Sequence, residues 1–224
     1  MAWDTERTKR LLLDAATEEF SRHGLAGARV DRIAASAGVN KERIYQYFGK
    51  KDELFEIVLT TRLQELIDAV PMHGTGPEAV GDYAGRLFEH HLRDEIIPRL
   101  IFWEGLELGT ASLPRSRAEY HAAKIASFQA MLPGIDRVMA GELLLTIVSL
   151  VNAWPVLAQL DRQLVADEQG VRPDRVARVA ARRAYLVAVA VALAEAALRS
   201  EGALAGAGRT GGPADAAHAA DSNG

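Results

Sequence analysis

The sequence predicts an all-α protein. An N-terminal three-helix helix-turn-helix domain is joined by helix 4 to a larger helical domain, about nine helices in all. Three observations lead there. Apolar residues recur at helical spacing, and no stretch alternates as a half-buried strand would. Pro and Gly fall between these periodic runs, where helices stop and start. Residues 30–54, VDRIAASAGVNKERIYQYFGKKDEL, read as a short helix, a tight turn, a second short helix and the start of a third.

Taken in order, Thr5 to His23 carries Leu12, Leu13, Ala16 and Phe20 on one stripe, and Gly24 is a natural C-terminal stop. Helix 2 is Val30 to Ala37, with Ile33 and Ala34 inward. Gly38 supplies the turn's backbone freedom, and Val39 plugs the core. Asn40 is a good N-cap for helix 3, about Lys41 to Phe48. Helix 4 opens on Lys51-Asp52-Glu53, with acids in the favourable first turn, and continues to about Val70. Pro77 opens helix 5, which reaches about Arg93. Pro98 marks a break before helix 6, which stops near Leu108. Helix 7 runs from Pro114 to Pro133-Gly134, and helix 8 from Asp136 to an interruption near Pro155, with a short continuation to about Val165. Pro173 to about Arg199 forms the last helix.

The 224 residues are 49% apolar, enough for a substantial core. Residues 1–51 are expected to form the helix-turn-helix domain, 52–200 the larger domain, and 201–224 a disordered tail of small and polar residues. There is no cysteine, which excludes disulfides, thiolate metal sites and a cysteine nucleophile. The start lacks a signal-peptide core, and the longest apolar runs are shorter than the roughly 18 residues a membrane span requires. A soluble, cytoplasmic protein is expected. Net charge is −4. Residues 1–51 hold ten Lys and Arg against seven Asp and Glu, so a mildly basic start precedes an acidic body. That suits local contact with DNA.

Helix 3 carries the chemistry for such contact. Ile44 and Phe48, four apart, face inward and turn Lys41, Glu42, Arg43, Tyr45 and Gln46 outward. An α-helix fits the major groove with its N-terminal residues at base edges. The hydroxyls of Tyr45 and Tyr47 can donate to phosphates, and Lys50 and Lys51 add charge at the next helix start. Glu42 strengthens the helix N-terminus or accepts from a cytosine amino group.

The run RIAASAGVNKERIYQYFGKKDEL resembles the signature of TetR-family transcriptional regulators. The features that match are an Ile-Ala pair, Ala37-Gly38-Val39, an apolar residue followed by Tyr45, then Phe48, Lys51 and Leu54. Leu12, Ala16, Phe20 and Gly24 match the family's first helix. The resemblance implies a homodimer that binds a palindromic operator and represses transcription. A ligand in the C-terminal domain would shift the spacing of the two readers and release DNA. By the same resemblance Tyr45, Tyr47 and Lys51 contact phosphate, while Lys41, Arg43 and Gln46 contact the groove. Two positions depart from the pattern. Arg29 stands where a Ser or Thr cap is frequent, although it could reach phosphate, and Glu42 stands where a small residue is common.

The larger domain mixes bulky aromatics with scattered polar groups, as a small-molecule site requires. Leu63, Phe88, His91, Trp103, Glu104, Tyr120, Phe128, Asn152 and Trp154 are the candidate lining, with core packing as the plainer reading of each. Trp103 with Glu104 and Trp154 with Asn152 pair bulk with polarity. Adjacent His90 and His91 diverge by about 100° on a helix and do not make an i, i+4 ligand pair, so neither metal nor cofactor is expected. The last helix is apolar nearly all round, which predicts burial of it and helix 8 against a second copy. Leu186, Val189, Leu193, Ala196 and Ala197 are the candidate interface residues. An all-α enzyme and a ligand-independent DNA-binding module compete with the regulator. The sequence holds no nucleophile motif, phosphate loop or HExxH run to favour the enzyme.

Overall fold

The computed structural model describes residues 2–108, 115–166 and 170–207, and these contain ten helices and no strand. They are α1 (Ala2–Gly27), α2 (Val30–Ala37), α3 (Glu42–Phe48), α4 (Lys51–Ala69), α5 (Pro77–Arg93), α6 (Ile96–Glu107), α7 (Arg115–Met131), α8 (Arg137–Val156), α9 (Ala158–Leu164) and α10 (Arg175–Ala207).

The head is built as its apolar spacing dictates. Leu12, Ala16 and Phe20 of α1, Ile33 and Ala34 of α2, and Ile44 and Phe48 of α3 are buried together with Leu54, Phe55 and Val58 of α4. Phe20 meets Phe55 edge to face, their ring centres 5.1 Å apart. Gly38 closes α2 in the left-handed conformation, φ 65° and ψ 31°, and Val39 N–H bonds back to the Ala34 carbonyl.

In the body, α10 lies along α5 in the most extensive helix pairing, and α8 packs against α5, α7 and α10. Gly81 and Gly85, four apart on α5, let α10 approach closely. A Cβ at Gly81 would sit 2.6 Å from a Val191 methyl and 3.2 Å from the Val187 carbonyl oxygen. The Arg183–Glu89 ion pair joins the same two helices.

Several boundaries differ from expectation for local reasons. Gly24 does not end α1. It breaks the helix with φ 68° and ψ −176°, after which the chain turns once more to Gly27. Pro98 lies inside the first turn of α6, where a missing N–H costs nothing, so that helix starts at Ile96. Asp174 accepts from the N–H groups of Val176 and Ala177, so α10 starts behind this cap and not at Pro173. It also runs past Arg199 through Gly202 to Ala207, where a tail was expected. The remainder of that expected tail, 208–224, lies outside the described residues. The continuation after Pro155 is a separate helix, α9. Helix α8 is long and apolar enough to cross a membrane by length and composition, because Thr146 and Ser149 interrupt the run without making it polar. Its Leu143, Leu144, Ile147 and Val151 are buried in the body core.

Candidate DNA-reading face and effector cavity

Helix α3 presents one face to the core and the other to solvent. Ile44 and Phe48 are buried, while Lys41, Glu42, Arg43, Tyr45 and Gln46 are all exposed. Tyr45 shows 53% of its surface. Asn40 Oδ1 accepts a long hydrogen bond from the Glu42 N–H at 3.4 Å, as a cap does, and the Lys41 side chain makes no capping bond.

The exposed groups are already oriented by neighbours. Arg43 donates to the Tyr47 hydroxyl at 2.9 Å and to Gln46 Oε1 at 3.3 Å. The Tyr47 ring also lies within 5.9 Å of Lys9 Nζ, which brings an α1 lysine to this face. Sequence spacing could not show Lys9 there, because it belongs to a helix read only for its apolar stripe. Lys41 pairs with Asp31 of α2 at 3.3 Å, a hydrogen bond that raises its ammonium above the ordinary lysine value. Lys51 is half-buried and donates to the carbonyls of Ala28 (3.1 Å) and Ala26 (3.5 Å), so it ties α4 to the α1–α2 connection. The Arg29 side chain is exposed, and its backbone N–H donates to Glu19. Burial works to raise the Glu19 carboxyl, but hydrogen bonds from Arg32 and from Arg29 N–H outweigh it and hold the group below its usual range. Lys50 is exposed, and its backbone N–H is capped by Glu53.

The head is not a free unit. Arg99 Nε and Trp103 Nε1 of α6 both donate to the Ser21 carbonyl, at 2.8 and 3.2 Å. Glu107 accepts from Ala26 N–H at 2.7 Å. All three contacts converge on the broken end of α1, where a Cβ on Gly24 would collide with Trp103 and Glu107. Trp103 therefore lies against the head. Glu104 is bound by buried Arg117 of α7 at 2.8 Å, and Arg117 also reaches Glu56 of α4 at 3.4 Å. Burial pushes the Glu56 carboxyl up against the opposing pull of Arg117. An ion network thus links α4, α6 and α7.

Among the other body candidates, Leu63, Phe88, His91, Phe128 and Asn152 are buried core. Burial pushes the His91 imidazole down to about 4, with the neighbouring charges of His90 and Lys124 acting in the same direction. Trp154 packs edge to face on Phe88 and carries Arg178 4.7 Å above its ring. Of the nine candidates, Tyr120 lines a cavity of about 390 Å3 between α4, α5 and α7, and Trp154 lines a more polar one of about 400 Å3 between α8, α9 and α10. Sequence reasoning passed over Lys124, which shares the wall with Tyr120. Among the described residues no three His, Asp or Glu side chains gather as a metal site would require.

On α10, Leu186 and Ala197 are buried within the chain, on the stripe that also buries Ala190 and Ala194. Their burial comes from the α5 and α8 packing of a single copy. Val189 and Leu193 are half-buried and Ala196 is exposed. The outer stripe of this helix is Tyr185, Ala188, Ala192 and Ala196, while α8 leaves Val138 and Leu145 exposed.

A helix-turn-helix with an exposed second helix, seated on an all-helical body, defines a class of DNA-binding regulators. Comparison with known proteins sharpens this. Residues 12–58 match the family model for bacterial regulatory proteins of the tetR family, and residues 79–192 match the Tetracyclin repressor-like C-terminal domain. The HTH-type transcriptional repressor SCO4008 of Streptomyces coelicolor is 41% identical over 169 residues, covering 73% of this chain and 86% of that protein. The crystal structure of regulator SCO4942 from the same organism is 33% identical with a TM-score of 0.60, covering 80% of this chain and 96% of the other. FadR from Bacillus subtilis, solved with stearoyl-CoA, shares the fold at 20% identity and a TM-score of 0.58, over 80% of this chain and 97% of its own. The chain belongs to the TetR family. It is a transcriptional regulator and not an enzyme.

Proposed function

We propose that the chain is a cytoplasmic homodimeric repressor that holds a palindromic operator until a small apolar or amphipathic effector releases it. The observation that carries the reading is α3. Lys41, Arg43, Tyr45 and Gln46 stand exposed while Ile44 and Phe48 anchor the helix, so the polar face is free to enter a major groove. Residues 1–51 serve as the DNA-binding part, with Arg29, Asn40, Glu42, Tyr47 and Lys50 flanking the reader. Lys51 braces the reader and adds positive charge near the backbone path. Residues 52–200 sense and dimerise. The apolar outer faces of α8 and α10, with Leu145 61% and Tyr185 63% exposed, are the surfaces a second copy would cover. Repression, in place of activation, is supported by the 41% identical relative that carries that description.

The test is a mobility-shift titration on the DNA upstream of the protein's own coding sequence. A salt-sensitive complex at nanomolar protein, competed by the same duplex and not by random DNA, is expected. Equal binding to random duplex would sink the operator reading.

A further inference from the structure

The cavity between α4, α5 and α7 is sized for a small molecule, at about 390 Å3. Its wall is apolar at Ile67, Val70 and Met72, and no lining side chain is a carboxylate. Two polar groups in that wall lack an acidic or hydrogen-bonding partner. Tyr120 is buried and its hydroxyl has no hydrogen-bond partner. Lys124, one turn further along α7, holds its ammonium 5.8 Å from the centre of the Tyr120 ring. Burial alone pushes that ammonium down, to about 8, with no acid opposing the shift. The acids that α4 and α6 supply to α7, Glu56 and Glu104, are both taken by Arg117. His91 of α5, near enough to feel the charge of Lys124, brings no negative charge.

The Tyr120 ring offsets only part of the cost of keeping this amine ionised in an apolar wall, and an anion would supply the rest. A helix position needed only for packing would be filled by Leu or Met. We propose that the cavity binds an amphipathic organic anion, a carboxylate or phenolate on an apolar body, with Lys124 receiving the charged end. Tyr120 donates its hydroxyl to the same end, and Ile67, Val70 and Met72 cover the apolar body. The inference rests on the effector-release reading and narrows it to a charge class. Because Ile67 and Val70 lie at the far end of α4, an occupant would press on the helix whose other end begins at the reader.

Isothermal titration of the full chain with decanoate, 2-naphthoate and salicylate, each beside its neutral primary amide, tests this. At least one acid is expected to bind tenfold or more tightly than its amide. Lys124→Met should abolish that preference, Lys124→Arg should keep most of it, and Tyr120→Phe should weaken the acid several-fold. Without ligand, Lys124→Met should also melt higher than the parent, which a lysine that held the fold by pairing would not allow. Lys124→Gln replaces the Met variant if the latter does not fold. No acid preferred over its amide, or a preference that survives in Lys124→Met, would overturn the proposal. Mobility shift on the same preparations separates the two readings. Ligand-free protein that fails to bind its upstream DNA counts against the repressor. Intact DNA binding without any acid preference counts against the anion site alone.

Discussion

Gly24 meets two demands with one missing side chain. Its φ and ψ, 68° and −176°, fall in a region that is essentially glycine-only, and the space beside it is filled by Trp103 and Glu107. Gly24→Ala should therefore cost about 2 kcal/mol or more, since backbone strain of about 1–3 kcal/mol adds to the collision. Gly27→Ala, where a Cβ meets only His23 at 3.4 Å, should be tolerated. Urea midpoints at unchanged m-value measure both. His91 carries a second residue-scale consequence. Unfolding returns its imidazole from about 4 to about 6.5, so between those pH values the unfolded chain binds the extra proton. The stability it contributes is complete above pH 6.5 and is lost on acidification, by up to about 3 kcal/mol at pH 4. The stability difference between the parent and His91→Gln should shrink accordingly as pH falls from 7 to 4. A constant difference would show that His91 does not titrate in this way.

At the scale of elements, the proposed reader α3 would divide its labour between phosphate and base. Tyr45→Phe should weaken DNA binding nearly uniformly across sequences, because the exposed hydroxyl has only a backbone oxygen to meet. Gln46→Ala should relax preference at one base pair by about 1–3 kcal/mol if the contact is bidentate. Binding measured against a panel of single-base operator variants distinguishes the two, and a Tyr45→Phe change confined to sequence preference would refute the division. The bounds of α2, α4 and α5 were legible in the sequence, because Gly38, Lys51-Asp52-Glu53 and Pro77 punctuate clean apolar periods. The partners of each face were not. Trp103 reads as pocket bulk, since periodicity gives the buried side of α6 but not that α1 lies against it. Lys124 goes unremarked in the sequence, because nothing local to α7 reveals the wall formed by α4 and α5. Leu186 and Ala197 read as interface for the same reason, whereas Gly81 and Gly85 bring α5 close enough to bury that stripe inside one copy.

At the scale of the whole molecule, two apolar outer faces remain. The stripe of Ala188, Ala192 and Ala196 on α10 is narrow and smooth, which suits close helix approach across a two-fold axis. Sedimentation equilibrium at micromolar protein should give a dimer. Ala192→Glu, placing like charges across that axis, should give a folded monomer with unchanged helical circular dichroism. It should also bind a full palindrome much more weakly than the parent, since half-site spacing is read by two linked heads. A monomeric parent would rule the two-fold arrangement out.

The seam at the end of α1 also bears on how such proteins can be re-engineered. Ser21, Gly24 and Ala26 receive Arg99, Trp103 and Glu107 from a helix some eighty residues further along the chain. A chimera that fuses residues 1–51 to a foreign body would carry one half of that lock without its key. Transplanting the reader's specificity would thus require grafting the outward residues of α3 alone, or carrying the matching surface of α6 along with the head.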